Sequence, residues 1–488
     1  MAIVDYNPNP SRSIRRISEM NIGMRIKSFF AKPRLILNSL LLLIFSAAWI
    51  RDVLYWLPKD AFGTSLNYWA YTDWLIDYSQ GFIRRGLSGE IWRLVPPSVS
   101  PLEFVAVFSW ILILVVVFGY VRLLAQSWKI YHPLTLFGLL FLPSLFIFYI
   151  HDHNAIARKE ILGYATVLLH LLIVEKSFPL GDSVTLTDGN LRRYVQWLIP
   201  VAVILIPAII LVHEGSFLMF VPLHVMITLT VLQMNSSRDF TRAALWAGLL
   251  YLPAAFTLGA VYLSGTPSHK MLLGICEKWL PAGAIREGSC ILTPEKLSGS
   301  TLPGSFIPME WSLPIAGDIT RMIISTNWVA WILILATLGV LLWYVARQAV
   351  YSILRSRSPQ SFSPQSALRY TGLFFCKYFL IPFLLSLPVY FTAYDYGRWF
   401  TVTCINFSML AVSANLPCWE FALRKKAANE GFAAIDSPEH LDNRLVFYGT
   451  SILICILALV LWLPHYCLFS CEIARSPLQF FSHTFIAH

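Results

Sequence analysis

Charge is what this sequence has least of. Of its 488 residues only 13% are Asp, Glu, Lys or Arg, while 57% are apolar. A soluble domain carries about 25% charge, so the scarcity excludes an ordinary water-soluble enzyme or binding module. Nothing repeats at solenoid spacing and no stretch is of low complexity, which excludes a repeat array. No cysteine and histidine spacing matches a zinc site, and no tightly spaced Asp-x-Asp is present. No cofactor is therefore predicted, and a divalent metal has no motif behind it. The formal charge of +10 does not point to nucleic acid, because cytoplasmic loops of membrane proteins are enriched in Lys and Arg.

What the sequence does have is long apolar runs. A spanning helix needs about 20 mostly apolar residues to cross a hydrocarbon core about 30 Å thick. Such runs lie near 35–57, 103–127, 134–150, 161–175, 195–213, 215–233, 243–265, 323–345, 371–393, 400–422 and 445–466. The third and fourth are short, and that pair is open to a tilted or re-entrant arrangement. The expected fold is an all-α integral membrane protein of about 11 transmembrane helices with two long external segments, 58–102 and 266–322. A cytoplasmic basic segment, 1–34, precedes the polytopic domain 35–466, and an external tail, 467–488, follows it.

Orientation follows from the basic residues. The block Arg12, Arg15, Arg16, Arg25, Lys27, Lys32 and Arg34 should stay in the cytoplasm. Counting eleven crossings from there puts Arg122, Lys129, Lys176, Arg192, Arg193, Arg238, Arg242, Arg347, Arg355, Arg357, Arg369, Arg424, Lys425, Lys426 and Arg444 on the same side. The run from Ser11 to Phe30 reads equally as a helix lying on the inner leaflet or as a plain basic anchor. Phe45-Ser46-Ala47-Ala48 looks like a signal cleavage region, but the polar segment before it is long for one.

Cys376, Cys404, Cys418 and Cys455 fall within spans, whereas Cys276, Cys290, Cys467 and Cys471 fall outside. An even outside count suits an oxidising compartment. Cys276 and Cys290, separated by a short polar loop, are the expected disulfide, and Cys467 with Cys471 is a weaker pair because of its tight spacing. The sequons at Asn235 and Asn406 lie inside or within a span, which favours a bacterial inner membrane over a secretory-pathway one.

Four polar motifs stand out. The first external segment holds Tyr71-Thr-Asp-Trp-Leu-Ile-Asp-Tyr and then Gly-Phe-Ile-Arg84-Arg85-Gly-Leu-Ser-Gly-Glu90. A helix there would put Asp73 and Asp77 on one face, and Gly81, Gly86 and Gly89 permit a close turn. Between the third and fourth spans comes His151-Asp152-His153-Asn-Ala-Ile-Ala-Arg158-Lys159-Glu160. Between the fifth and sixth comes His213-Glu214-Gly, and between the ninth and tenth Asp395-Tyr-Gly-Arg398-Trp. A loop salt bridge or an interfacial anchor would explain any one of these alone. In this topology all four sit at the outer ends of helices, where ionisable groups near lipid are costly unless paired or functional. Lys377 lies inside a span and is expected to snorkel to the cytoplasmic end, His170 to be a hydrogen-bonded packing residue, and Pro207, Pro253 and Pro382 to mark kinks.

Acids, paired Arg and His at one face suit sugar transfer from a polyprenyl-phosphate carrier: an Asp takes the acceptor proton, and cations balance the departing phosphate. The arrangement resembles the GT-C superfamily of membrane glycosyltransferases, and the motifs Gly-Phe-Ile-Arg-Arg-Gly-Leu, His-Glu-Gly and Asp-Tyr-Gly-Arg-Trp also look like those of membrane proteins from bacterial polysaccharide loci. The resemblance covers the overall topology and the first external loop. It implies a GT-C-like helical bundle in which Asp73, or Asp77, is the catalytic base. Arg84, Arg85, His151, Asp152, His153, Arg158, Lys159, His213, Glu214, Asp395 and Arg398 would then bind substrate. The partners implied are membrane lipid, a polyprenyl-phosphate-linked sugar, and a glycan or lipid-linked acceptor. An O-antigen polymerase or ligase would also use a lipid carrier and a late external loop such as 266–322. A transporter or lipid-linked sugar flippase would instead place polar residues at the bilayer midplane on broken helices.

Reporter fusions after residues 95, 300 and 488 should all read external. A cytoplasmic signal at position 300 would overturn the topology and the shared face with it.

Overall fold

The computed structural model of the chain describes residues 71–145 (apart from 72, 97, 129, 132, 143 and 144), 158–178, 188–236, 240–264, 268–279, 328–357, 364–392 and 396–429. Among these, every regular element is helical. The expected spans 35–57 and 445–466, the segments 1–34 and 467–488, and residues 280–322 lie outside the described residues.

A 3-10 turn at Asp73–Leu75 leads to the short helix α1 (Gly86–Trp92). The long helix α2 (Pro101–Ser127) starts on Ser100, whose side chain accepts from the Glu103 N–H at 3.5 Å, with Pro at its first position. Proline suits that position because its missing N–H would have had no helical partner. Next come α3 (Pro133–Phe141), α4 (Glu160–Ser177), α5 (Asp188–Val212), α6 (Ser216–Ser236), α7 (Phe240–Leu250), α8 (Leu252–Leu263) and α9 (His269–Trp279). The set closes with α10 (Trp328–Arg357), α11 (Pro364–Phe375, continuing to Thr392), α12 (Tyr396–Val412) and α13 (Asn415–Asn429).

Five helices are long and apolar enough to cross a membrane, and up to seven if each bent pair is one span. The bent pairs are α7 with α8, at 47°, and α12 with α13, at 77°. Helix α2 shows the environment directly. Phe104, Val107, Ile111, Val115 and Phe118 recur at helical spacing on its outer face and are all exposed. Water would disfavour such a stripe, whereas hydrocarbon accommodates it. Helix α4 is different: Ile161, Tyr164, Val167, Leu168, Leu171 and Val174 bury it on nearly every side. Helix α6 is the hub of the bundle, touching α4, α5, α7, α8, α11, α12 and α13.

The three expected proline kinks are interruptions of two kinds. Pro207 follows a π-helical turn at Val201–Leu205, and Pro382 follows another at Cys376–Leu380. Pro253 follows the break at Tyr251. A proline ring clashes with the carbonyl four residues earlier and donates no hydrogen bond. A wider turn or a break just before the ring removes that conflict.

Close approach fixes α1 against the loop before it. The Gly89 N–H donates to the Ile76 carbonyl at 3.0 Å, and a Cβ at Gly89 would stand 2.2 Å from that same oxygen. Gly89→Val should therefore displace α1. A loss of roughly 2 kcal/mol, as for overpacking, would appear as a lower melting temperature of the detergent-solubilised protein.

Candidate functional site

Helices α4, α6 and α12 begin, and α5 ends, at one end of the bundle, and the charged motifs meet there. The centre is Arg85. Its guanidinium forks onto Glu214 through Nε (2.9 Å to Oε2) and Nη2 (2.9 Å to Oε1), and Nη1 reaches Asp73 Oδ1 at 3.4 Å. Arg85 is the one non-glycine residue with positive φ (65°) among the described residues. Such a backbone is costly for a residue with a Cβ and persists only where its surroundings impose it; here two carboxylates, one 12 and one 129 positions away in the sequence, hold the side chain.

Asp73 joins this fork to the next motif. Its Oδ2 pairs with Lys159 Nζ at 2.9 Å, and the same ammonium donates to the Asp73 backbone carbonyl at 2.8 Å. Lys159 also lies over the Trp74 ring. The next residue, Glu160, pairs with Arg398 and, at 3.3 Å, with His213 Nε2. The Gly215 N–H donates to His213 Nδ1 at 3.1 Å, so the ring proton is on Nε2 and points at Glu160. Both ring nitrogens of His213 are thus engaged. Arg84 stands 3.8 Å from Glu214, and the charge of Arg158 acts on Glu160. Arg398 stacks on Trp399 at 4.5 Å.

Electrostatics keep the acids ionised. Burial pushes the Asp73 carboxyl up, but the Lys159 ammonium and the Arg85 guanidinium outweigh it, and the net shift is downward. Burial acts the same way on Glu214, where Arg85 and then Arg84 win by more and hold it well below the usual carboxylate range. Burial opposes the charge of Arg85, and the two carboxylates more than restore it.

Of the expected site residues, Asp73, Arg84, Arg85, Arg158, Lys159, His213, Glu214 and Arg398 come together. His151, Asp152, His153 and Asp395 lie outside the described residues. Asp77 parts from Asp73. The chain turns only as far as Leu75 in a 3-10 conformation, so no α-helical face carries both acids. Asp77 instead pairs with Lys278 on α9, and its Oδ1 accepts from the Ser79 N–H at 2.9 Å. Cys276 on the same helix is disulfide-bonded, while Cys290 lies outside the described residues. Cys376, Cys404 and Cys418 form no disulfide.

Two residues of the sequence carry more than the motifs suggested. Glu160 is the hub of the Arg398–His213 half of the site, and its place beside Arg158 and Lys159 at the start of a span was the available signal. Lys377 does not simply reach for the headgroups: it pairs with Glu420, whose Oε1 also accepts from the Tyr378 hydroxyl at 2.8 Å and Thr230 Oγ1 at 3.0 Å. His170 is hydrogen-bonded, as expected, to Tyr194 and to a second histidine, His224.

No known protein family, curated protein or solved structure matches this chain.

The lowered acids give a definite pH sign. Asp73 and Glu214 bind protons less readily when folded than when unfolded, so their contribution is present above the ordinary carboxylate range and is lost as pH falls through their folded values. The melting temperature of the solubilised protein should be level from neutral pH down to about 5 and should fall below about 4. Glu214→Gln should cost roughly 3 kcal/mol at neutral pH, the low end for breaking a buried pair because Glu214 keeps some water contact. It should also flatten the acid fall.

Proposed function

We propose that the protein is a membrane glycosyltransferase of GT-C-like architecture, with about eleven spans. It transfers a sugar from a polyprenyl-phosphate-linked donor at the external face of a bacterial inner membrane, in surface polysaccharide or glycoconjugate synthesis. The observation that carries this reading is a gathering of cations: Arg84, Arg85, Arg158, Lys159 and Arg398 meet at one end of the bundle beside Asp73, Glu160 and Glu214. Guanidinium and ammonium groups at the membrane boundary suit a phosphate or diphosphate group, which they hold by charge-assisted hydrogen bonds.

The chemistry then uses Asp73 as base. The acceptor hydroxyl oxygen attacks the anomeric carbon, the bond from that carbon to the phosphate oxygen breaks, the phosphate keeps the electron pair, and the hydroxyl proton passes to Asp73. Alone, Lys159 and Arg85 hold Asp73 at a low proton affinity. An anion bound among the same cations shares their pull and raises that affinity, so the base is strongest when donor is in place. Asp77, bound to Lys278 and a backbone N–H, orients the loop.

A second reading has one observation in its favour. A flippase or transporter would carry polar groups at mid-depth on broken helices, and the His170–His224 pair sits there, next to the break at Tyr251.

With a polyprenyl-linked sugar as donor, Asp73→Asn should cut the transfer rate at least about 100-fold at unchanged membrane abundance. Asp77→Asn should cost much less. Full activity in Asp73→Asn would remove it as the base, and wild type that moves a lipid-linked sugar across sealed vesicles without forming a glycosidic bond would replace transfer by transport.

A further inference from the structure

Helix α1 has three faces. One is turned into the protein: Ser88 and Trp92 are buried there, and the Trp92 ring meets Phe104 and Phe108 of α2 edge-on, with centroids 5.0 and 5.5 Å apart. A second face is charged. Glu90 and Arg93 pair on it at 2.6 Å, and Glu90 also accepts the Tyr78 N–H at 2.7 Å. The third face is apolar. Leu87, Ile91 and Leu94 are four and then three positions apart, which makes them neighbours on one side of a helix. The winding does carry as far as Leu94, because its N–H donates to the Ile91 carbonyl at 3.1 Å and the Val95 N–H donates to the Trp92 carbonyl at 3.0 Å. Ile91 is 48% exposed and Leu94 84%, so no described element covers this third face.

Its surroundings say what does cover it. Val99 and Phe104 are exposed as well, and Phe104 is the first residue of the outward apolar stripe of α2, which faces hydrocarbon. Through the contact of Trp92 with Phe104, the apolar face of α1 continues that stripe. Depth agrees. The apolar stretch of α2, Glu103–Ser127, has 25 residues, about 37 Å at 1.5 Å per residue, against a hydrocarbon core of about 30 Å. Its first two turns, which hold Phe104 and Phe108, stand at the membrane boundary. Helix α1 is fastened to those turns and stands at the same depth. A helix with an apolar face and a charged flank at that level lies in the interface, whereas water would disfavour the exposed leucine and isoleucine.

We propose that α1 is an interfacial helix whose Leu87, Ile91 and Leu94 face is seated among the acyl chains of the leaflet at the charged end of the bundle, with the Glu90–Arg93 pair turned to water. The segment around α1 is then held by lipid and does not project from the membrane. Arg84 and Arg85 immediately precede α1, so its seating holds them at the level of the lipid phosphates. The inference does not rest on sugar transfer, and its test uses no sugar.

The test is the depth of single positions. Leu94→Cys, Ile91→Cys and Arg93→Cys are made in the full-length protein, labelled with a thiol-reactive nitrobenzoxadiazole dye and placed in phosphatidylcholine–phosphatidylglycerol nanodiscs. The signal of wild type labelled in the same way is subtracted, and melting temperatures show which labelled variants are folded. Two quenchers are compared: phosphatidylcholine carrying a nitroxide near the top of its acyl chain, and iodide in the water. Dye at positions 91 and 94 should emit further to the blue than dye at 93, and should lose more emission to the nitroxide lipid than to iodide. At position 93, on the charged flank, the order should reverse. Dye at 91 or 94 of a folded variant that iodide quenches as strongly as dye at 93 puts the face in water and overturns the proposal. Dye there that neither quencher reaches puts the face against protein, of this chain or of a second copy, and overturns it equally.

Discussion

The bidentate contact between Arg85 and Glu214 is what the rest of this end of the bundle depends on. It ties a loop near the start of the chain to the junction of two central helices, 129 positions later. Through Asp73 it reaches Lys159, and through the neighbouring Glu160 it reaches His213 and Arg398. A guanidinium is the side chain suited to this task, since its planar fork serves two carboxylates at once and never loses its charge. The left-handed backbone of Arg85 is then a consequence of the pairing. A Lys there would keep the charge and lose the fork, and the four segments would no longer share one rigid junction.

The cluster also accounts for the distribution of polarity along the helices. Helix α2, which sends no charged side chain into the cluster, presents a continuous apolar stripe outward. Helices α4 and α6, which carry Lys159, Glu160 and Glu214 at their ends, are buried by neighbours along most of their length and can house imidazoles and hydroxyls at mid-depth. Polar groups inside a membrane protein need partners on other helices, so only the elements at the centre of the bundle can hold them. Thr166 and His170 on α4 and His224 on α6 therefore lie on the same two helices that carry Lys159, Glu160 and Glu214, and Tyr194 reaches them from α5.

Much of this was legible in the sequence. Apolar runs locate spans because hydrocarbon leaves few alternatives, and α2, α5, α6 and α11 fall where those runs predict. The gathering of Arg84, Arg85, Lys159, Glu214 and Arg398 followed from their shared position at helix ends. The partners did not follow. Asp73 and Asp77 are equivalent by helical spacing, and only the short 3-10 turn, with Lys278 some two hundred residues away, separates them. Glu420 and His224 sit in runs apolar enough to read as plain spans. Periodicity reports that such a residue is buried and is silent about the side chain facing it from another helix.

The π-helical turns have a consequence for how length is distributed along these helices. Each holds one residue more than an α-helical turn would, so the helix beyond it is rotated by about 100° relative to an uninterrupted one. In α5 the turn at Val201–Leu205 therefore sets the azimuth at which the chain arrives at His213 and Glu214. In α11 the second turn holds Lys377 and Tyr378 themselves. The register of both ends of the bundle is thus stored in two single-residue insertions, placed where a proline two residues further on prevents the helix from healing over them.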